Sequence, residues 1–191
     1  MPDTSSNFRI RVAQVADIPE LNRLIEASVR GLQTRDYTPR QIEGALGTAL
    51  GVDTQLILDA TYFVAFAAER SEVLVACGGW SKRRTLFGPD GGSGRDAGFL
   101  DPRTDAARIR AIFVHPEWAR RGLGSLMLAH CEAEAQRAGF QRFEMGSTLT
   151  GVPLYRLRGY AELERVDVPL PNGEVLPVIR MQKIAGIQPA H

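Results

Sequence analysis

The chain has 191 residues, 44% of them hydrophobic, and its 23 Lys and Arg residues nearly balance 22 Asp and Glu residues, which gives a net charge of +1. A chain of this size can bury one hydrophobic core, so we expect a single domain over residues 1–191. The small net charge excludes a global field that would attract nucleic acid or a membrane surface, and we expect neither as a partner.

The two cysteines, Cys77 and Cys131, are far apart in the sequence and lie in neither a CxxC nor a Cys/His pattern. We therefore expect no metal site and no disulfide framework. No stretch approaches the roughly 20 apolar residues that span a bilayer. The first residues, MPDTSSNF, lack the apolar core of a signal peptide. Together these features predict a cytoplasmic protein.

The first predicted elements are a strand and a helix. Residues 1–7 are polar and expected to be flexible, and FRIRV follows as a strand because apolar and polar residues alternate. Asp17 stands at an N-cap position with Glu20 three residues later, which is the pattern of a capping box. The helix that begins there is expected to end or weaken at Gly31.

A second helix and a hairpin are predicted next. Thr38, Pro39 and Gln41 provide an N-cap, a first-turn proline and a second capping box. The runs TYFVAFAAE and EVLVACGGW are rich in β-branched, aromatic and small apolar residues. A short polar break separates them, so the two runs are predicted to form an antiparallel hairpin.

A long loop is predicted over residues 83–107, where Gly, Pro and Asp are frequent and no periodicity is visible. Loops of this length are uncommon in compact domains. The segment is therefore either a functional loop, such as one that closes over a substrate pocket, or a mobile surface insertion.

The second half of the chain predicts a strand, a helix, a strand, a short helix and a hairpin, in that order. RIRAIFV is the first strand, and apolar residues then recur on one face of a helix from about Leu123 to Ala138, which Gly139 ends. FQRFEMG is the next strand and GVPLYRLRGY a short helix that Gly159 ends. AELERVDVPL and EVLPVIRMQK pair around PNG.

The segment VHPEWARRGLGSLML, residues 114–128, places a helix N-terminus directly after a strand. Such an end exposes unpaired N–H groups and the positive end of the helix dipole, which bind anions. Gly122 and Gly124 permit close approach, and Arg120 and Arg121 add charge at the rim. The GxxxxGK[ST] pattern and the third glycine of a dinucleotide fingerprint are both missing. The segment therefore predicts a phosphate-binding site, but one that belongs neither to the GxxxxGK[ST] class nor to the dinucleotide-binding class.

The stretch IFVHPEWARRGLGSLML, which includes this segment, resembles the acyl-CoA-binding motif of the GNAT superfamily of N-acyltransferases. That motif is usually written Q/R-x-x-G-x-G/A. LYRLRGY downstream resembles the family's Tyr-x-x-x-Gly-Phe/Tyr segment, so the resemblance covers Arg108 to Tyr160. Ala119 departs from the family's usual Gln or Arg. The resemblance implies a GNAT-like α/β fold, with a mixed, mostly antiparallel central sheet of about seven strands, helices on both faces, and splayed strands at the cofactor site.

The resemblance also implies acetyl-CoA as co-substrate. Strand backbone would pair with its pantetheine arm, and the glycine loop would bind its pyrophosphate. Thr150 stands near a family Asn that contacts the cofactor, although its hydroxyl could equally cap the next helix. The cofactor-binding residues implied in this way are Ile112, Phe113, Val114, Arg120, Arg121, Gly122, Leu123, Gly124, Ser125 and Thr150.

Tyr155 matches the family tyrosine that protonates the departing thiolate, so the resemblance implies a general acid there, with a packing tyrosine as the alternative. The base is less defined, because RIRAIFV lacks the glutamate that several family members carry. Glu144 on the neighbouring strand and His115 are candidates. A water-mediated base and deprotonation in bulk solvent also stay open.

The resemblance implies an N-acetyltransferase in which acetyl-CoA and a primary amine react directly in a ternary complex. The missing strand carboxylate keeps a non-catalytic acyl-CoA-binding sensor or interaction module as the alternative. The acceptor, a small-molecule or peptide amine, is not defined by the sequence. The oligomeric state is equally open, with a homodimer as one option.

Overall fold

The structure, a computed structural model, describes residues 7–68, 70–84 and 98–186. Residues 1–6 of the predicted flexible segment 1–7, and residues 85–97 of the predicted loop 83–107, lie outside these ranges. The strands are β1 (Phe8–Val12), β2 (Tyr62–Ala67), β3 (Arg70–Ser81), β4 (Ala107–Val114), β5 (Arg142–Thr148), β6 (Ala161–Pro169) and β7 (Val175–Ile184). The α-helices are α1 (Ile18–Leu32), α2 (Pro39–Ala45), α3 (Thr54–Leu58), α4 (Leu123–Arg137) and α5 (Val152–Leu157).

The strands form one mixed sheet in the order β1-β2-β3-β4-β5-β7-β6. All neighbouring strands are antiparallel except β4 and β5, which are parallel. One hydrophobic core packs α4 and α5 against one face, and a second core packs α1, α2 and α3 against the other. The predicted α/β fold, with about seven mostly antiparallel strands and helices on both faces, is confirmed.

The central parallel pair separates soon after it forms. Only two register positions join β4 to β5, Ala107 with Phe143 and Arg108 with Glu144. Beyond them, β4 stays paired with β3 and β5 stays paired with β7, so each strand is held on its outer side alone. We call the space between residues 109–114 of β4 and 145–148 of β5 the inter-strand gap. It confirms the predicted splayed strands.

The two predicted capping boxes have different outcomes. Around Thr38 the box is present, because the Gln41 amide donates to Thr38 Oγ1 at 3.2 Å and Gln41 Oε1 accepts from the Thr38 amide at 3.0 Å. At α1 the prediction is wrong, since the Asp17 side chain makes no cap bond to the helix. Its carboxylate instead accepts from the Arg11 guanidinium and the Gln14 amide, each at 2.7 Å.

Gly31 does not end α1, which continues to Leu32. The residue serves close packing instead, because a Cβ at Gly31 would lie 2.5 Å from Pro116 Cγ. Pro116 opens a short 3-10 turn at Pro116–Trp118, directly after β4. The absence of a side chain at Gly31 therefore sets how near α1 comes to the end of β4.

The ends of the predicted loop are ordered in a way that its composition did not indicate. The Arg84 amide donates to the Gly98 carbonyl at 3.0 Å, and the Leu100 amide donates to the Lys82 carbonyl at 2.8 Å. An ion pair of 2.6 Å between Arg83 and the residue after α3, Asp59, fixes this short ladder to the domain. The predicted closure over a substrate pocket falls on residues outside the described ranges.

A substitution at Gly79 tests the packing of the sheet. A Cβ there would lie 2.8 Å from both the Thr61 carbonyl oxygen and Tyr62 Cδ2. Because a backbone atom cannot move away, Gly79→Ala should lower the free energy of unfolding by about 1–3 kcal/mol in urea denaturation. Gly173→Asn is the control, since that position has open space and a left-handed backbone that Asn tolerates. An equal cost at both positions would contradict the packing argument.

Candidate functional site

A cavity of about 90 Å³ occupies the inter-strand gap. Its walls include residues 109–113 of β4 and 145–148 of β5. Tyr155 lines it from α5 on one face of the sheet, whereas Gln33 and Asp53 line it from the side of α1 and α3. The cavity therefore passes through the sheet and connects its two faces.

The edge of β4 that borders the cavity carries a β-bulge. The register with β3 shifts between Cys77 and Gly79, and Ala111 has a left-handed backbone with φ of 52°. After the bulge, the His115 amide donates to the Val75 carbonyl at 2.9 Å. Since successive residues of a strand present backbone groups to opposite edges, Val114 directs its amide and carbonyl toward the inter-strand gap.

Two side chains on neighbouring strands hold the bulge. The Tyr62 hydroxyl of β2 lies 3.2 Å from Cys77 Sγ of β3 and 3.4 Å from the Ala111 carbonyl oxygen, and Cys77 Sγ lies 3.8 Å from the same oxygen. Burial raises the pKa of Cys77 to about 12 and raises the pKa of Tyr62 well above its usual value. Both groups therefore keep their protons: Cys77 donates to the Ala111 carbonyl, and the single Tyr62 proton is shared between Cys77 Sγ and that carbonyl.

The predicted pyrophosphate loop lies at the N-terminus of α4. Gly122 is the N-cap with φ of 83° and supplies no side-chain cap, so the first amides of the helix, from Leu123 onward, point outward without intrahelical partners. Gly124 lies beside Val114, at the end of β4. The six predicted loop residues, Arg120, Arg121, Gly122, Leu123, Gly124 and Ser125, thus form the turn into α4 and its first residues, and Gly124 brings this helix start to the end of β4.

The two loop arginines differ in what they contact. Both are exposed, and the Arg121 guanidinium stacks 4.9 Å from the centroid of the Trp118 ring. Arg120 has a left-handed backbone with φ of 64°, which turns the chain into the helix start. The charge of both residues therefore sits at the rim, whereas the bare amides of α4 form the base of the anion site.

Tyr155 lies on α5 and lines the cavity. Its ring is 8% exposed and packs edge-to-face on Tyr160, with 6.0 Å between the ring centroids. Burial raises the pKa of the Tyr155 hydroxyl. That hydroxyl makes no hydrogen bond within the described part of the chain, so it is a protonated group whose proton is available to a ligand in the cavity that Tyr155 lines.

Thr150 does not meet the expectation that the sequence raised. Its hydroxyl donates to Asp36 Oδ2 at 2.6 Å, in the loop between α1 and α2. Gly151 is the N-cap of α5, so Thr150 does not cap the helix, and it is absent from the walls of the cavity. The contact with Asp36 argues against the predicted cofactor contact and gives Thr150 a role in joining two loops.

The two candidate bases are engaged elsewhere. Glu144 is 7% exposed, lies at the paired end of β4 and β5, and forms ion pairs with Arg108 and Arg180. Two guanidinium partners stabilise its carboxylate and occupy both oxygens, which argues against the predicted base role. His115 caps the following turn, because its Nδ1 accepts from the Glu117 amide at 3.3 Å.

Sequence reasoning missed three polar residues on the α1–α3 face of the cavity. Arg110 of β4 and Asp53, the N-cap of α3, form a buried ion pair of 2.9 Å, and Gln33 is the C-cap of α1. Asp53 directly precedes a threonine and a glutamine, which is a weak N-cap signal. Nothing local in the sequence marks Gln33 or Arg110 as facing a cavity.

Comparison with known proteins now decides the family. Residues 28–160 match the model of the acetyltransferase (GNAT) family. The chain belongs to this family. The predicted family is therefore confirmed, and this GNAT protein is an acyltransferase. A search of curated proteins finds no match.

Solved structures agree on the fold. The GCN5-related N-acetyltransferase from Rhodopseudomonas palustris has a TM-score of 0.69 at 18% identity, over 93% of this chain and 96% of that chain. PaiA N-acetyltransferase from Thermoplasma acidophilum, in complex with coenzyme A, has a TM-score of 0.61 at 13% identity, over 93% of this chain and 98% of that chain. YncA from Salmonella typhimurium, solved with acetyl-CoA, has a TM-score of 0.60 at 16% identity, over 96% of this chain and 97% of that chain. Identities this low establish the fold alone.

Neither a metal-binding cluster nor a membrane-spanning helix is found in the described residues. The described residues contain no group of three or more His, Cys, Asp or Glu side chains that could hold a metal ion. Within the same ranges, no helix combines the length and apolar character needed to cross a bilayer.

A Tyr62→Phe variant tests the support of the bulge. Loss of the hydroxyl removes the one donor that the Ala111 carbonyl and Cys77 Sγ share, so we expect about 1–3 kcal/mol less stability. We also expect several-fold weaker binding of acetyl-CoA in isothermal titration, because the edge of β4 is less fixed. Tyr160→Phe is the control, since its buried hydroxyl donates to Glu132 at 2.9 Å, away from the cavity. Equal affinities for acetyl-CoA in the two variants would show that support of the bulge does not affect cofactor binding.

Proposed function

We propose that this GNAT protein is an N-acetyltransferase, which transfers the acetyl group of acetyl-CoA to a primary amine by direct attack in a ternary complex. Acetyl-CoA is the co-substrate, as the family and two relatives solved with coenzyme A or acetyl-CoA support. The observation that carries the proposal is the cavity through the sheet. It lets a thioester and an amine approach one another from opposite faces, so that both can be bound at the same time, as a ternary complex requires.

The anion site and the β4 edge suit the two polar parts of coenzyme A. The outward-pointing amides at the start of α4 fit a pyrophosphate, with Arg120 and Arg121 at the rim. The backbone of Ile112, Phe113 and Val114 borders the inter-strand gap and fits the amides of pantetheine as an added strand. Both features depend on backbone groups, so the departure at Ala119 removes no group that they need.

The proposed reaction forms one bond and breaks one bond at the thioester carbon. The amine nitrogen attacks the carbonyl, backbone N–H groups of β4 beside the bulge stabilise the oxyanion, and the carbon–sulfur bond then breaks. Tyr155 donates its phenolic proton to the departing thiolate and regains one from solvent. The excess proton of the attacking nitrogen leaves through water, since Glu144 and His115 are held by other partners.

The acceptor class is proposed as a small-molecule or peptide amine. The cytoplasmic location stays a prediction, and the oligomeric state stays open, with a homodimer as one option. We likewise propose that residues 1–191 form one domain, because a single sheet contains strands from both ends of the described chain. The direct test is a CoA-release assay with acetyl-CoA over a broad panel of amines. Tight acetyl-CoA binding without release of CoA would contradict the enzyme and favour the non-catalytic module.

A Tyr155→Phe variant tests the general acid. Loss of the phenolic proton should lower kcat by about 10²- to 10⁴-fold, the usual contribution of general acid catalysis. The affinity for acetyl-CoA in isothermal titration should change little, because the proposed pyrophosphate and pantetheine contacts use backbone groups of α4 and β4 and not the Tyr155 hydroxyl. Tyr160→Phe is the matched control, since its ring adjoins Tyr155. A Tyr155→Phe enzyme as fast as the parent would remove the acid role.

The pH dependence separates the acid from the amine. Burial raises the pKa of Tyr155, so its phenol keeps the proton needed for catalysis at neutral and moderately alkaline pH. The free amine fraction, in contrast, grows with pH up to the pKa of the acceptor. We therefore expect kcat/KM to rise with pH and level off near that pKa. A decline below about pH 10, where an ordinary tyrosine titrates, would contradict this assignment.

A further inference from the structure

One buried oxygen of the cavity has no partner. Gln33 is 5% exposed and lines the cavity at the C-terminus of α1. Its Oε1 atom is buried and accepts no hydrogen bond within the described part of the chain. Because buried side-chain oxygens are rarely left without a donor, this oxygen marks a place where a ligand N–H group fits.

The backbone of Gln33 is held firmly in place. Its amide donates to the Val29 carbonyl at 3.2 Å, and its carbonyl accepts from the amides of Asp36 and Tyr37, each at 3.1 Å. The Tyr37 hydroxyl in turn donates to the Pro177 carbonyl at 2.7 Å and accepts from the Leu149 amide at 2.8 Å. The turn after α1 is thus tied to both β7 and the end of β5, and the Gln33 side chain starts from a fixed position.

We propose that Gln33 binds the acceptor amine, with its side-chain carbonyl accepting a hydrogen bond from the nitrogen that attacks the thioester. This inference rests on the proposed N-acetyltransferase function and defines the face from which the acceptor enters. Gln33 and Asp53 lie on the α1–α3 side of the cavity, whereas Tyr155 lies on the α5 side. The ligand class is a primary amine or its ammonium form, which carries the N–H donors that this oxygen lacks.

The neutral charge of glutamine suits this role. A carboxylate beside the amine would stabilise the ammonium ion and so reduce the free amine that attacks. An amide carbonyl orients the nitrogen without that charge effect. The titratable and charged described groups on the cavity wall are Asp53, Arg110 and Tyr155, and the first two form an ion pair. Gln33 therefore offers an uncharged hydrogen-bond acceptor in a cavity wall where the charges of Asp53 and Arg110 offset each other.

Two variants separate orientation from general structure. Gln33→Leu removes the acceptor oxygen, so KM for the most active amine of the CoA-release panel should rise about tenfold while acetyl-CoA affinity stays unchanged. Gln33→Glu should lower that KM and move the alkaline rise of kcat to higher pH. Gln136→Leu, at an exposed position on α4, is the control. An unchanged amine KM in Gln33→Leu, or an unchanged pH profile in Gln33→Glu, would overturn the proposal.

A binding measurement gives a result that does not depend on turnover. The ¹⁵N-labelled protein, saturated with CoA, is titrated with ethylammonium chloride, and the side-chain amide signal of Gln33 is assigned by its loss in Gln33→Leu. A saturable shift of that signal, absent with potassium chloride, is expected. If the shift appears but no amine releases CoA, the amine site stands and the acetyl transfer is overturned. If CoA is released but no shift appears, acetyl transfer stands and the Gln33 site is overturned.

Discussion

Strands β4 and β5 are the central constraint of this structure, because they lie side by side and pair at only two positions. Every strand on either side of them is joined along most of its length. Unpaired backbone groups inside a sheet cost free energy unless another donor or acceptor reaches them. A ligand with amide groups along its length can supply those partners, and pantetheine is such a ligand. The gap therefore implies both the shape and the polarity of what fills it.

The bulge at Ala111 adds a second constraint, which the gap alone does not explain. A left-handed backbone at a residue with a side chain is strained and persists only when its surroundings hold it. Tyr62 and Cys77 provide that support from the far side of β4, and their burial keeps both protonated. Residues outside the cavity wall thus fix the strand edge on which the proposed chemistry depends. Cys77 thus supports the backbone of β4, a role that nothing in its sequence position indicates.

The sequence predicted those features whose signals are local. Strand alternation, the Thr38 box and the run from Val114 to Leu128 each lie within a few neighbouring residues, and the strand and helix order followed from them. The Asp17 box was wrong because Arg11, six residues away, takes the carboxylate. Glu144 looked like a base until the fold brought Arg108 and Arg180 to it from two other strands. Such partners become neighbours only through strand pairing, which a one-dimensional pattern does not contain.

The cavity wall shows how the same limit affects the acceptor site. Gln33, Asp53 and Arg110 come from the end of α1, the start of α3 and the middle of β4, so no motif unites them. Cofactor recognition relies on backbone groups and short glycine patterns, which the sequence displays. The proposed acceptor recognition relies on side chains that long-range packing brings together. Under this proposal the two sites occupy opposite faces of one sheet and are encoded in different ways, so the acceptor site can change while the cofactor site stays the same.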